Sequence, residues 1–225
     1  MAMSNRVLII GSGAREHVIA ENISKSDKVN KIYLMPGNSG MNYESVSIDE
    51  NNYDDIMTFC RKNNIDLVII GPEKHLVNGL CDILQENNIK CFGPTKKAAQ
   101  IEGSKIYSKS LMMNLDIPTS KFQIFNDKVS ATKYLNDISN NTSDNISKYV
   151  IKLSGLAGGK GVYLPNTHEE ACIIINNIFK KGNIDILIEE KVYGTEVSVL
   201  GFCNGETTKL MPQAQDYKRI FDDDL

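Results

Sequence analysis

Leu153–Pro165 reads LSGLAGGKGVYLP, with glycines at 155, 158, 159 and 161 around Lys160. Glycines lack the side chains that would keep an anion away from successive backbone N–H groups, so such a loop can cradle phosphate. Lys160 adds a positive charge, and Lys152 ends the incoming run YVIKL (Tyr149–Leu153). A P-loop would need GxxxxGK[ST] between a strand and a helix. Here Gly161 follows Lys160, and a second strand pattern, Val162–Leu164, follows the glycines. The loop is therefore read as a flap between antiparallel strands that closes over a nucleotide, and this half of the chain as α+β.

The segments around the flap fit that reading. Ile186–Val192 (ILIEEKV) is an apolar strand ending in Glu189 and Glu190, suited to a purine edge held by strand backbone. Glu196, six residues past Glu190, is placed to accept hydrogen bonds from ribose hydroxyls. A strand is expected over Phe122–Phe125, a helix over Val129–Ile138, a polar loop over Ser139–Ser147 and a helix over Thr167–Phe179. Strands Ile184–Glu190 and Glu196–Phe202 follow, and Asn204-Gly205 predicts a hairpin to Thr207–Met211.

The first hundred residues have a different rhythm. Arg6–Ile10, Lys31–Met35, Leu67–Ile70 and Ile89–Phe92 are apolar strand runs. Helical spacing falls between them, over Ala14–Lys25, Tyr53–Asn63 and Leu76–Asn87. Strands alternating with helices give an open parallel α/β sheet, and strands apolar throughout are covered on both faces. Lys96–Asn114 is helical with a break near Gly103.

GSGAREH (Gly11–His17) follows a strand and opens a helix, as a dinucleotide fingerprint does. Glu16 stands at its third glycine position, however, and Pro36-Gly37-Asn38 where an acidic ribose ligand is expected, so a dehydrogenase is disfavoured. Turns GSG, PGN and GPE (Gly71–Glu73) end three strands on one sheet edge, where open α/β sheets bind ligands. They suggest a sugar-phosphate site.

Composition excludes several classes. The 225 residues are 41% apolar and 24% charged with net charge −3, and the basic residues form no patch for nucleic acid. No apolar run is long enough to span a bilayer, and MAMSNRVLII enters a strand directly without a signal-peptide pattern. Cys60, Cys81, Cys91, Cys172 and Cys203 share no CxxC spacing, and His17, His75 and His168 are far apart, so reduced thiols in a cytoplasmic protein are expected and no metal ligands are assigned.

In chain order, GSGAREH, PGNSG, VIIGPEKHLVNGLCD, FGPTKKAAQIEGSK, VIKLSGLAGGKGV, IEEKVYGTEVS and MPQAQDYKR closely resemble the phosphoribosylamine–glycine ligase (glycinamide ribonucleotide synthetase) family of ATP-grasp enzymes. The resemblance covers essentially the whole chain. It implies ATP-dependent joining of glycine to 5-phosphoribosylamine through a glycyl phosphate in purine biosynthesis, with ATP and Mg2+ required. It also implies site roles. Lys105 and Lys152 would contact ATP phosphates, and Gly158, Gly159, Lys160 and Gly161 would form the flap. Glu189, Glu190 and Val192 would border adenine, with Glu196 on the ribose. Gly11, Gly13, Arg15, Glu16, Gly37, Asn38, Gly71, Pro72 and Glu73 would face phosphoribosylamine. Asp216, Lys218 and Arg219 match a family Asp-His-Lys-Arg segment near the reacting groups, with Tyr217 in place of the histidine.

The implied organisation is a Rossmann-like substrate domain over 1–103, a helical connection over 104–120, an ATP-grasp lid over 121–192 and opening strands of an incomplete catalytic domain over 193–225. The family's later Gly-Pro-Asn-Thr-Gly-Gly run and its Mg2+ ligands do not occur in these residues. The chain alone is expected to have little or no ligase activity while still able to bind nucleotide weakly, and its open strand edges are expected to lead either to aggregation or to a partner chain carrying the C-terminal half. The alternatives are a non-catalytic nucleotide-binding remnant or one half of a split enzyme.

Overall fold

The computed structural model describes residues 5–140, 146–156, 161–182, 184–215 and 217. In the first half, β1 (Asn5–Gly11), α1 (Ala14–Ile23), β2 (Val29–Pro36) and β3 (Glu44–Ser45) are followed by α2 (Tyr53–Lys62) and β4 (Leu67–Ile70). Then come α3 (Glu73–Val77), α4 (Leu80–Glu86), β5 (Cys91–Phe92) and α5 (Lys96–Gly103). The five strands form one parallel sheet in the order β3-β2-β1-β4-β5.

Side chains alternate across a strand, and here both faces are apolar. Leu8, Ile10, Met35, Val68 and Ile70 pack with Ile56 of α2 and Leu80 and Leu84 of α4. Val7, Ile9, Ile32, Leu34 and Ile69 cover the other face with Ala20 of α1. Each fully buried aliphatic side chain contributes about 1.5–3 kcal/mol of transfer free energy. The central strands are thus fixed by burial on both sides, as their unbroken apolar sequence predicts.

Two differences from the sequence reading have local causes. The helix expected over Leu76–Asn87 is two helices, α3 and α4, separated at Gly79, whose φ of +91° is left-handed. Short β3 adds to the sheet edge, where Tyr33 and Leu34 pair with Glu44 and Ser45. Its sequence carries no apolar alternation, so only its neighbour makes it a strand.

The second half contains α6 (Lys105–Asn114), β6 (Phe122–Phe125), α7 (Lys128–Asn140), β7 (Tyr149–Leu153), β8 (Val162–Tyr163), α8 (His168–Phe179) and β9 (Ile186–Glu190). Four of these strands form an antiparallel sheet in the order β6-β9-β7-β8. Ile151, Ile186 and Ile188 point into a core with Leu135 and Ile138 of α7 and Ile175 and Ile178 of α8. By alternation, Lys152, Leu187 and Glu189 occupy the opposite face, towards α6. The expected polar loop over Ser139–Ser147 begins inside α7 and ends in a 3-10 turn at Ile146–Lys148, and 141–145 lie outside the described residues.

The last strands are β10 (Val197–Ser198), β11 (Gly201–Cys203), β12 (Thr208–Leu210) and β13 (Ala214–Gln215). The strand expected over Glu196–Phe202 is thus split: β10 pairs β13, whereas β11 turns at Asn204-Gly205 and pairs β12 antiparallel. Val197, Phe202 and Leu210 are exposed, and Phe202 stacks at a tilt on Phe92 of the first sheet, with ring centroids 6.0 Å apart. Among the described residues no helix is long and apolar enough to cross a membrane.

Candidate functional site

Two clefts lie beside the segments singled out by sequence. The first is at the C-terminal edge of the parallel sheet. β1, β2 and β4 are neighbours and run the same way, so their glycine turns share this edge. The turns are bonded to one another. Gly37 donates its N–H to the Gly11 carbonyl at 3.1 Å, Asn38 donates from Nδ2 to the Ser12 carbonyl at 2.8 Å, and Gly71 donates to the Ile10 carbonyl at 3.0 Å.

Glu16 explains why two of these positions lack side chains. It is buried, and its Oε2 accepts the Gly13 N–H at 2.6 Å, capping α1 with a carboxylate as the helix dipole favours. A Cβ on Gly71 would overlap the Glu16 carboxylate, and one on Gly11 would lie 2.7 Å from its Cγ. The departure from the dinucleotide pattern is therefore structural: a carboxylate fills the space under the turns. Arg15, next to it, stays exposed, with its guanidinium 3.5 Å from Glu73. Arg15, Gly71, Glu73, Pro94 and Glu102 border a cleft of about 290 Å³, with Leu76 and Val77 as its apolar wall. Pro72 caps α3, which starts at Glu73.

The second cleft, about 260 Å³, lies between α6 and the polar face of the antiparallel sheet. Ser104 starts α6, its Oγ accepting the Tyr107 N–H at 3.2 Å. Lys105 and Lys109 are four apart on this helix and so share a face. Lys152 of β7 and Glu189 of β9 come from the sheet, and all four residues line the cleft.

Glu189 is the centre of the charge arrangement. Its side chain is 3% exposed. Oε1 meets the Lys152 ammonium, and Oε2 accepts from Lys109 Nζ at 2.6 Å and Ser120 Oγ at 3.2 Å. Lys109 also donates to Thr119 Oγ1 at 2.8 Å and Ser120 Oγ at 2.7 Å, and its ammonium lies 5.4 Å from the Phe122 ring centre. Burial lowers the Lys109 pKa. Burial, then the charges of Lys109 and Lys105, lower that of Lys152. Three ammonium groups and two carboxylates, the buried Glu189 and the exposed Glu102, thus line the cleft, leaving a net positive charge that a polyanion would offset.

The root of the glycine loop is tied to α6. Lys105 donates its N–H to the Ser154 carbonyl at 2.9 Å, Ile106 donates its N–H to Ser154 Oγ at 3.3 Å, and Lys105 Nζ donates to the Gly155 carbonyl at 3.3 Å. Leu153 N–H donates to the Gly161 carbonyl at 2.8 Å, and Lys152 pairs with Val162. The loop therefore joins antiparallel strands. Gly158, Gly159 and Lys160 lie outside the described residues, as do Asp216, Lys218 and Arg219.

Of the adenine candidates, Glu190 gives its N–H to the Lys121 carbonyl at 2.9 Å and pairs its carboxylate with Lys121 Nζ at 3.8 Å, while Val192, Glu196 and Tyr217 are exposed. Sequence reasoning missed Lys109, Thr119, Ser120 and Ser154. The four-residue spacing from Lys105 was the available signal for Lys109; nothing local marks the hydroxyls. Among the described residues no three His, Cys, Asp or Glu side chains gather to hold a metal. Glu189 is already committed to ammonium groups, so these residues do not fit a Mg2+ site.

Family models match the chain in two consecutive parts. Phosphoribosylglycinamide synthetase, N domain, matches residues 5–102, and phosphoribosylglycinamide synthetase, ATP-grasp (A) domain, matches residues 103–225. The phosphoribosylamine–glycine ligases of Rhodopirellula baltica and Halalkalibacterium halodurans are each 40% identical over 97% of this chain and 51% of theirs. The crystal structure of phosphoribosylamine–glycine ligase from Thermotoga maritima superposes with a TM-score of 0.75 at 28% identity, covering 98% of this chain and 52% of that one. An ADP complex of N5-carboxyaminoimidazole ribonucleotide synthetase shares the fold, with a TM-score of 0.68 at 18% identity, 100% of this chain and 56% of that one being covered. The chain spans about half the length of these single-activity ligases.

Proposed function

This chain belongs to the phosphoribosylglycinamide synthetase family, and on that premise we propose that it supplies the nucleotide-facing and phosphoribosylamine-facing half of a cytoplasmic ligase that joins glycine to 5-phosphoribosylamine at the expense of ATP. The observation that carries this reading is the second cleft, where Lys105, Lys109 and Lys152 converge and Glu189 is the carboxylate shared by Lys109 and Lys152. ATP would supply the phosphoryl group that activates the glycine carboxylate. The residues of this chain hold and orient. Lys105 and Lys152 bind the polyphosphate, the Glu189–Val192 segment borders the base, and Glu196 takes the ribose. On the other edge, Arg15 faces the phosphate of phosphoribosylamine, with Gly11, Gly13, Gly37, Asn38, Gly71, Pro72 and Glu73 forming the backbone seat and Glu16 shaping it from below. Asp216, Lys218 and Arg219 act near the reacting groups.

ADP titration tests the reading. Lys105→Met and Lys152→Met should each weaken ADP by at least about tenfold, the scale for removing one partner of a charge-assisted contact. Equal binding by both variants and the wild type would overturn it.

The chain alone is proposed to lack ligase turnover. Phosphoryl transfer to a carboxylate needs a cation to offset charge, and Glu189, the buried carboxylate of the nucleotide cleft, is already paired with Lys109 and Lys152. The exposed Val197, Phe202 and Leu210 support completion by further polypeptide, covalent or separate. Phosphate release that depends on both glycine and phosphoribosylamine, from this chain alone, would refute the inactivity.

A further inference from the structure

The three lysines of the nucleotide cleft are not held alike, and the difference assigns them different parts. Lys109 is 15% exposed and its ammonium is surrounded: Glu189 Oε2 at 2.6 Å, Ser120 Oγ at 2.7 Å, Thr119 Oγ1 at 2.8 Å and the Ser120 carbonyl at 3.4 Å. An ammonium has three protons to donate, and this one has partners for all of them. Lys152 is 30% exposed, and among the described residues the acceptor recorded for it is Glu189 Oε1. It lies two residues before Ser154 and the glycine loop and is the more exposed of the two lysines.

We propose that Lys109 is a positioning residue, the resident counter-ion of Glu189, whose presence lets Lys152 leave that carboxylate for a bound polyphosphate. The inference rests on the nucleotide reading above and adds to it an exchange. Without a ligand, Glu189 is shared by two ammonium groups. When phosphate oxygens enter, Lys152 trades a carboxylate oxygen for a phosphate oxygen. Glu189 stays buried and stays paired, because Lys109 and Ser120 still satisfy it. A buried carboxylate stripped of every cation would be strongly disfavoured, so Glu189 could not release Lys152 if Lys152 were its sole partner. The lowered proton affinity of Lys152, which follows from burial and from the Lys109 and Lys105 charges, agrees with a group crowded by cations and eased by an incoming anion.

The test is calorimetric titration of the full 225-residue chain with ADP and, separately, with adenosine. Lys109→Met should weaken ADP by about tenfold or more and adenosine by far less, because the lost step concerns phosphate alone. Lys109→Arg should recover most of the ADP affinity. The double variant Lys109→Met/Glu189→Gln should recover it too, since no carboxylate then retains Lys152. A purely structural Lys109 predicts equal losses for both ligands and no recovery when Glu189 is neutralised, and that pattern would overturn the proposal.

Lysine side-chain NMR on the unaltered chain gives a reading free of folding effects. On ADP addition the Lys152 signal should move while the Lys109 signal stays. Movement of Lys109 with Lys152 unmoved would reverse the roles and end the proposal. A wild-type chain that takes up neither ADP nor adenosine would instead overturn the nucleotide reading itself, and this inference with it.

Discussion

Lys109 and Glu189, eighty residues apart in sequence, meet at 2.6 Å in a space where both side chains are largely removed from water. The pair joins helix α6 to strand β9. It ties the connection after the parallel sheet to the antiparallel one through charge as well as packing.

Removing that carboxylate should cost stability. Glu189→Gln leaves two ammonium groups without their shared anion, and breaking a buried pair this way typically costs about 3–5 kcal/mol. ADP should restore more stability to Glu189→Gln than to the wild type, because its phosphates replace the lost charge. Thermal melts with and without ADP check both halves of this expectation.

Stability and binding should depend on alkaline pH in opposite ways. Burial first, then Lys109 and Lys105, hold the folded-state pKa of Lys152 below its ordinary 10.5. The cost of keeping this group charged is full below the folded value, so its contribution to stability rises as pH climbs from there towards 10.5. Bound phosphate favours the ammonium, so ADP binding should take up protons in the same window and weaken as pH rises through it. Calorimetry in two buffers of different ionisation heat measures the uptake, and Lys152→Met should reduce it.

Gly71→Ala should destabilise the protein by about 1–3 kcal/mol, the usual range for forcing an extra methyl into a packed site. The added Cβ would collide with the Glu16 carboxylate. Adding Glu16→Ala to Gly71→Ala should recover part of that loss, although it removes the cap on α1. Denaturant unfolding of Gly71→Ala, Glu16→Ala and the double variant decides whether Glu16 is the obstacle.

Thiol reactivity should be strongly graded. Cys203 is exposed on β11, and hydrogen bonds from the Gly205 backbone and Thr208 lower its pKa. Burial pushes Cys60 up to about 11; burial, together with the Cys81 thiol, pushes Cys91 up to about 12. Alkylation mapped by mass spectrometry should modify Cys203 first and leave Cys60 and Cys91 intact until unfolding. A polypeptide that completes β10–β13 should protect Cys203.

Much of this was legible because it is written in local pattern. Val7–Ile10 and Leu67–Ile70 are apolar without interruption and read as covered strands; the break near Gly103 is where α5 ends and α6 begins. The flanks of the glycine loop showed that it joins two strands. What escaped depends on distance in sequence. Glu16 looks like a spoiled glycine motif until Gly71, fifty-five residues later in the chain, is brought beside it. Thr119 and Ser120 look like loop hydroxyls until Lys109 reaches them. The run Glu196–Phe202 has strand propensity throughout, yet its partners divide it between two separate pairings.

Ser154 has a consequence for how this architecture can vary. Its carbonyl and hydroxyl receive the Lys105 and Ile106 amides, so the start of α6 is anchored to the end of β7 just before the glycines begin. One residue later, Gly155 has, among the described residues and apart from its chain neighbours, no atom within 4 Å of where a Cβ would stand. Its carbonyl still accepts from Lys105 Nζ at 3.3 Å. The spacing of Lys105 and Lys152 is therefore set by these bonds at the root of the loop, upstream of its glycines, so the two phosphate-facing lysines keep their separation whatever the length of chain between Gly155 and Gly161.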